Sequence, residues 1–120
     1  MSQVVGNLSD RVISALNLDV EPNQPIYLGE SDIAHKKSRH PEDYVRYGTY
    51  LRQILEKPDY VGQNPKDGSI EYVKEFQIHG EFGKVSVRLS GSGSLYARSL
   101  YVLNQKRVYN FIQRGTLKKV

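Results

Sequence analysis

Apolar residues recur with a helical period in the first half of the chain and with a period of two in the second, so helices are expected first and strands afterwards. Leu8, Val12, Ala15 and Leu16 fall on one face of a helix over Leu8 to Leu18, with Asn7 or Ser9 available as its N-cap. Asp19 to Pro25 is polar, carries two prolines and reads as a linker. It leads into an apolar stretch, Ile26, Tyr27 and Leu28, that Gly29 breaks. Ser31 and Asp32 can open a short helix through Ile33 to Arg39, which Pro41 must end. Pro41, Glu42 and Asp43 suit the first turn of the next helix, where Tyr44, Tyr47, Leu51, Ile54 and Leu55 keep helical spacing until Pro58 closes it.

The period changes at Asp59. Tyr60 and Val61 form a short strand candidate before an Asn64-Pro65-Lys66-Asp67-Gly68 turn, and Ile70, Tyr72, Lys74 and Phe76 then occupy alternate positions of a second strand. A turn is expected from His79 to Gly83. Val85, Val87 and Leu89 alternate with Lys84, Ser86 and Arg88, the pattern of a strand with one buried and one polar face. Ser90 to Ser94 reads as a hairpin loop into a last strand, Leu95 to Leu103. Either face of that strand suits burial: Tyr96, Leu100 and Val102 with Arg98, or Leu95, Ala97, Ser99, Tyr101 and Leu103. In the tail from Asn104 to Val120, the apolar Val108, Phe111 and Ile112 suit a short terminal helix or strand. The expected fold is α+β: N-terminal helices on one face of an approximately four-stranded antiparallel sheet, the other face left for solvent or a ligand.

With 120 residues the chain has room for one core, so residues 1–120 are expected to form a single domain. The absence of Cys removes disulfides, thiolate nucleophiles and Cys-based zinc sites. No apolar run reaches membrane-spanning length and Met1 to Gly6 has no signal-peptide character, so a cytoplasmic protein without membrane contact is expected. The charge distribution adds more. All thirteen acidic residues lie at or before Glu81, and eight Lys and Arg residues follow with no carboxylate among them. A basic, strand-rich last third is the footprint of a polyanion binder. The plainer reading is a basic surface that maintains solubility, and an acidic protein is a further partner class.

Two of the three histidines lie in the run His35-Lys36-Lys37-Ser38-Arg39-His40. Their spacing of five does not match the i, i+4 pattern of helical zinc ligands, so no metal site is expected. His35 and Arg39 are one helical turn apart, which can set a titratable imidazole beside a fixed guanidinium. That pairing suits RNA cleavage, in which a base takes the proton of the 2′-hydroxyl, an acid protonates the departing 5′-oxygen and cations hold the extra phosphoryl charge. The competing reading is a solvated basic helix face. No phosphate-binding loop motif, nucleophile elbow or paired-carboxylate arrangement is present. Some of the nine tyrosines are candidates for stacking on bases, others for packing.

The run Ile26-Tyr27-Leu28, then His35 with its basic neighbours and His40-Pro41, then Tyr50-Leu51-Arg52-Gln53-Ile54-Leu55 with Pro58-Asp59-Tyr60-Val61, resembles the phage-associated branch of the barnase/EndoU/colicin/RelE-like nuclease superfamily. The strands Val85-Ser86-Val87-Arg88-Leu89 and Tyr96-Ala97-Arg98-Ser99-Leu100-Tyr101 continue the likeness, which spans residues 26 to about 110. The resemblance implies a barnase-like core at 26–110 after an N-terminal helix and linker at 1–25, with a basic tail at 111–120. It further implies a metal-independent ribonuclease of toxin or phage-effector type that needs no cofactor. By position, His35 would be the catalytic histidine, with Arg39 beside it, and Ser99 the small hydroxyl of the last strand. Arg39, Lys74, Arg88 and Arg98 become candidates for phosphate contact, and Tyr101 for substrate binding. The acid partner is unassigned, since His40 abuts Pro41 and His79 falls in a turn. Expected partners are tRNA, mRNA or rRNA and an inhibitor or antitoxin protein. Alternatives are a non-catalytic module binding RNA or an acidic protein, and a structural component of a phage or mobile element.

Overall fold

The first helix starts where its cap chemistry says it should. Ser9 accepts a hydrogen bond from the Val12 amide (3.3 Å), and α1 runs over Asp10–Leu16. Asn17, with φ +53°, ends it in a left-handed turn. The computed structural model describes residues 3–28, 50–76, 80–89 and 93–120, with the backbone alone at Gln3 and Ser99. The short helix expected at 33–39, the first part of the helix expected from Pro41, and His79 lie outside the described residues.

Seven strands form one sheet among these residues: β1 (Gln3–Asn7), β2 (Pro25–Leu28), β3 (Tyr60–Gln63), β4 (Ile70–Phe76), β5 (Glu81–Leu89), β6 (Leu95–Leu103) and β7 (Lys118–Lys119), in the spatial order β1-β2-β6-β5-β4-β3-β7. All neighbours are antiparallel except β2 and β6, which run parallel. The sheet is thus larger than the four strands expected. β1 offers only Val4 and Val5 to a periodicity argument, and β7 is two lysines, so pairing rather than pattern makes both of them strands. β5 also starts earlier than the expected turn allows, with Glu81 already opposite Phe76.

On the first face of the sheet, Tyr72, Val85, Val87, Ile70 and Leu100 pack with Val12 of α1 and with Leu51, Ile54 and Leu55 of α2 (Leu51–Glu56). Gly6 admits α2 closely: an added Cβ would lie 3.1 Å from the Leu55 Cβ. The Tyr72 hydroxyl is buried in this core without a hydrogen-bond partner among the described residues, and burial pushes its pKa up.

Strand register explains why β6 reads ambiguously. Ser86 pairs with Ser99 but the next residue, Val87, pairs with Ala97, so Arg98 is an extra residue in a β-bulge. The bulge reverses the alternation midway. Leu95 and Ala97 before it, and Leu100 and Val102 after it, all join the first core. Neither of the two expected faces is therefore correct along the whole strand.

The second face is not left bare. At one end Val73, Phe82 and Leu103 are covered by α3 (Gln105–Gln113) through Val108, and by Leu117 of the tail. The Asn104 side chain caps α3 by accepting from the Arg107 amide at 2.9 Å. Gly115, with φ +77°, ends the turn after it, and the tail then crosses β3 so closely at Gly62 that any Cβ there would collide with the Thr116 carbonyl. Lys118 and Lys119 pair with Val61 and Tyr60, and the Val120 amide donates to the Asp59 carbonyl. No helix among the described residues is long and apolar enough to cross a membrane.

Candidate functional site

Away from α3 the second face carries polar residues, because adjacent residues of a strand point to opposite sides. Register places Glu71 of β4 opposite Ser86 of β5, and Ser86 opposite Ser99 of β6; on the same face Lys84 lies opposite Tyr101, and Arg88 opposite Tyr96. The β3–β4 turn rises at one side of these residues, and Arg107 of α3 and the bulged Arg98 also contribute. The result is a groove of about 440 Å³ lined by Asn64, Asp67, Ser69, Glu71, Lys84, Ser86, Arg88, Arg98, Tyr101, Leu103 and Arg107.

The turn is held by its own side chains. The Asn64 Oδ1 accepts from the Lys66 amide and the Asp67 Oδ1 from the Ser69 amide, each at 2.9 Å. Gly68 supplies the positive φ of +73°. The other Asp67 oxygen accepts from the Arg88 Nη2 at 2.7 Å, which fixes the guanidinium at the groove rim. Hydrogen bonds from the Ser69 backbone and side chain, then from Arg88, lower the Asp67 pKa to about 2.

Deeper in the groove, the Lys84 Nζ lies 2.6 Å from the Glu71 Oε2, with the two side chains only 18% and 15% exposed. The same ammonium lies 5.5 Å from the Tyr101 ring centroid and 6.0 Å from that of Phe111. These aromatic walls limit water around the pair and strengthen its electrostatics relative to the more open Arg88–Asp67 pair. Arg98 stacks over Tyr96 at 5.3 Å and Arg107 over Phe111 at 6.0 Å. The groove thus combines four cations with two carboxylates, a set that can bind a phosphate and accept a proton beside it. Among the described residues no group of three or more His, Cys, Asp and Glu could hold a metal ion.

Of the candidate residues, Arg88, Arg98 and Tyr101 come together in this groove. Ser99 has its backbone opposite Ser86, on a strand that lines it. Lys74 is not brought there: it shares the parity of Tyr72 and points to the first face, where its Nζ donates to the Lys57 carbonyl at 3.1 Å. A residue of β4 can reach only one face, and the groove face of this strand carries Glu71 and Val73. His35 and Arg39 lie outside the described residues.

Glu71, Lys84, Asp67 and Arg107 were not singled out as site residues from sequence. Alternation on β5 did assign Lys84 to the polar face, and the position of Glu71 between Ile70 and Tyr72 held the same signal. Their convergence depends on pairing between strands, which local spacing does not encode.

A family model described as phage-Barnase-EndoU-ColicinE5/D-RelE like nuclease3 matches residues 2–110. No curated protein and no solved structure gives a match. The match begins well before the likeness visible in the sequence and takes in β1 and α1. It also stops within α3, leaving the segment that pairs with β3 outside. A match over nearly the whole chain, joined to a groove suited to a phosphate ligand, establishes that this protein belongs to the phage-Barnase-EndoU-ColicinE5/D-RelE like nuclease3 family.

Proposed function

We propose that this chain is an endoribonuclease of phage-effector or toxin type, which cuts RNA through attack of a 2′-hydroxyl on the adjacent phosphodiester. The observation that carries the reading is the Glu71–Lys84 pair, largely enclosed by groove walls and flanked by guanidinium groups. In the proposed reaction the Glu71 carboxylate takes the 2′-hydroxyl proton, the 2′-oxygen bonds to phosphorus and the bond from phosphorus to the 5′-oxygen breaks. An imidazolium at His35 donates the proton that the departing oxygen requires. The products are a 2′,3′-cyclic phosphate and a free 5′-hydroxyl. Arg88, Arg98 and Lys84 stabilise the extra charge on the phosphoryl oxygens, and Arg39 and Ser99 position the phosphate.

The proposed reaction uses side chains alone, without a metal ion or cofactor. Its substrate is tRNA, mRNA or rRNA, and an inhibitor or antitoxin protein is the expected regulatory partner. Purified protein is to be incubated in EDTA with an RNA, with a DNA of the same sequence, and with RNA in which the 2′-hydroxyls are removed. Cleavage of the first alone, with cyclic phosphate ends in the mass spectrum and loss of activity in His35→Ala, is the expected result. Cleavage of DNA, or dependence on added metal, would defeat the proposal. Intact RNA with binding that weakens steeply in salt would instead make the groove a binding module.

A further inference from the structure

The groove does not end at Arg88. Across the parallel β2–β6 pair, Tyr27 lies opposite Tyr96, and their ring centroids are 5.8 Å apart with planes tilted by 40°. Tyr96 is in turn opposite Arg88, so both tyrosines extend the groove along the same face. The Arg98 guanidinium carbon sits 5.3 Å from the Tyr96 ring centroid, while the same side chain lines the groove. Both rings are half-buried, yet among the described residues neither belongs to either apolar core. Two adjacent aromatic rings are thus held beside a cationic groove, outside both apolar cores of the described residues.

We propose that Tyr27, Tyr96 and Arg98 form a stacking platform for an unpaired base next to the phosphate in the groove, so that single-stranded RNA is the preferred form of substrate. This rests on the nuclease reading and deepens it by naming the substrate class. Aromatic rings and guanidinium planes stack on any nucleobase, but in a duplex the base faces are already stacked on one another. Arg98 joins the two ends of the site, being close to the phosphate-binding cations and stacked on the platform. The bulge at this residue makes the double role feasible, because it sets an additional side chain where the strand changes its alternation.

The test is binding of the full chain to a short fluorescent oligoribonucleotide, 2′-O-methylated so that it cannot be cut by its own hydroxyls. It is presented single-stranded, annealed to its complement, or with single abasic positions. The wild type is expected to bind the single strand about tenfold or more tightly than the duplex, with one abasic position reproducing that loss. Tyr96→Leu or Tyr27→Leu should abolish the preference and make binding insensitive to the abasic position, whereas Tyr96→Phe should retain both. Thermal unfolding of each variant separates loss of stacking from loss of fold, and Tyr96→Phe tests the platform even where a leucine is not tolerated. Equal binding of single strand and duplex by the wild type, or equal damage from Phe and Leu, overturns the platform. If the wild type binds no form of the oligonucleotide, the nuclease reading falls as well; if it binds but ignores both tyrosine substitutions, only the platform falls.

Discussion

The two faces of the central strands make opposite use of neighbouring residues. On one side Val85, Val87 and Tyr72 are sealed, at 0%, 1% and 0% exposure, under α1 and α2. On the other, Lys84, Ser86 and Glu71 stay half-buried and Arg88 exposed, with Lys84 paired to Glu71 and Arg88 to Asp67. A single two-residue period therefore gives one strand two chemistries. Stability is concentrated on the apolar face and ligand chemistry on the polar one, so substitutions on the two faces are expected to affect different measurements.

The largest effect is expected from Glu71→Gln, which keeps the shape and removes the proton acceptor. Single-turnover RNA cleavage should fall by about 10²- to 10⁴-fold. Because Lys84 loses its enclosed partner the urea midpoint should fall too, so cleavage is read per folded molecule, and cleavage retained in the folded fraction would make Glu71 structural. Ile54→Ala on α2 should do the reverse, costing about 2–5 kcal/mol in equilibrium denaturation because the side chain is fully buried. Cleavage by its folded fraction should match the wild type. If both substitutions change both measurements to the same degree, the division between the faces is wrong.

Much of this division could be read from the residues. The cap at Ser9, the alternation on β5 and the Asn64 to Gly68 turn each have a local cause and stand where that cause puts them. The face of β6 was not legible, because an inserted residue leaves no mark on composition and shows only as a shift in pairing at Ser86 and Val87. The site was legible strand by strand but not as a site. Arg88, Arg98 and Tyr101 carried functional character by charge or ring, whereas Glu71 resembled any polar residue of a half-buried strand until Lys84 appeared beside it. Lys74 illustrates the converse, a cation of the right type with its strand parity directed to the opposite face.

Smaller effects sharpen the comparison. Tyr72→Phe removes a buried hydroxyl with no partner among the described residues, so it should raise stability by about 1 kcal/mol, measured by urea denaturation, and leave cleavage unchanged. A destabilised variant would show that the hydroxyl is satisfied. The smallest effect concerns Asp67. Its folded pKa of about 2 lies below the ordinary carboxylate value of 3.8, so protonation favours the unfolded chain. The stabilisation is complete above the unfolded value and is lost as pH falls through about 2. Asp67→Asn should therefore make the acid limb of the stability curve shallower between these two values, as followed by thermal melts across pH. An unchanged limb would remove this contribution.

The crossing of Gly62 by the tail has a practical consequence. The family match ends at residue 110, but Leu117 lies inside the second core and Lys118–Lys119 close the outer edge of β3. A fragment trimmed to the matched region would lose a hydrophobic plug and expose backbone donors and acceptors at Asp59 to Val61 to strands of other molecules. The last ten residues act as a hem, keeping an otherwise adhesive border from joining one molecule to the next.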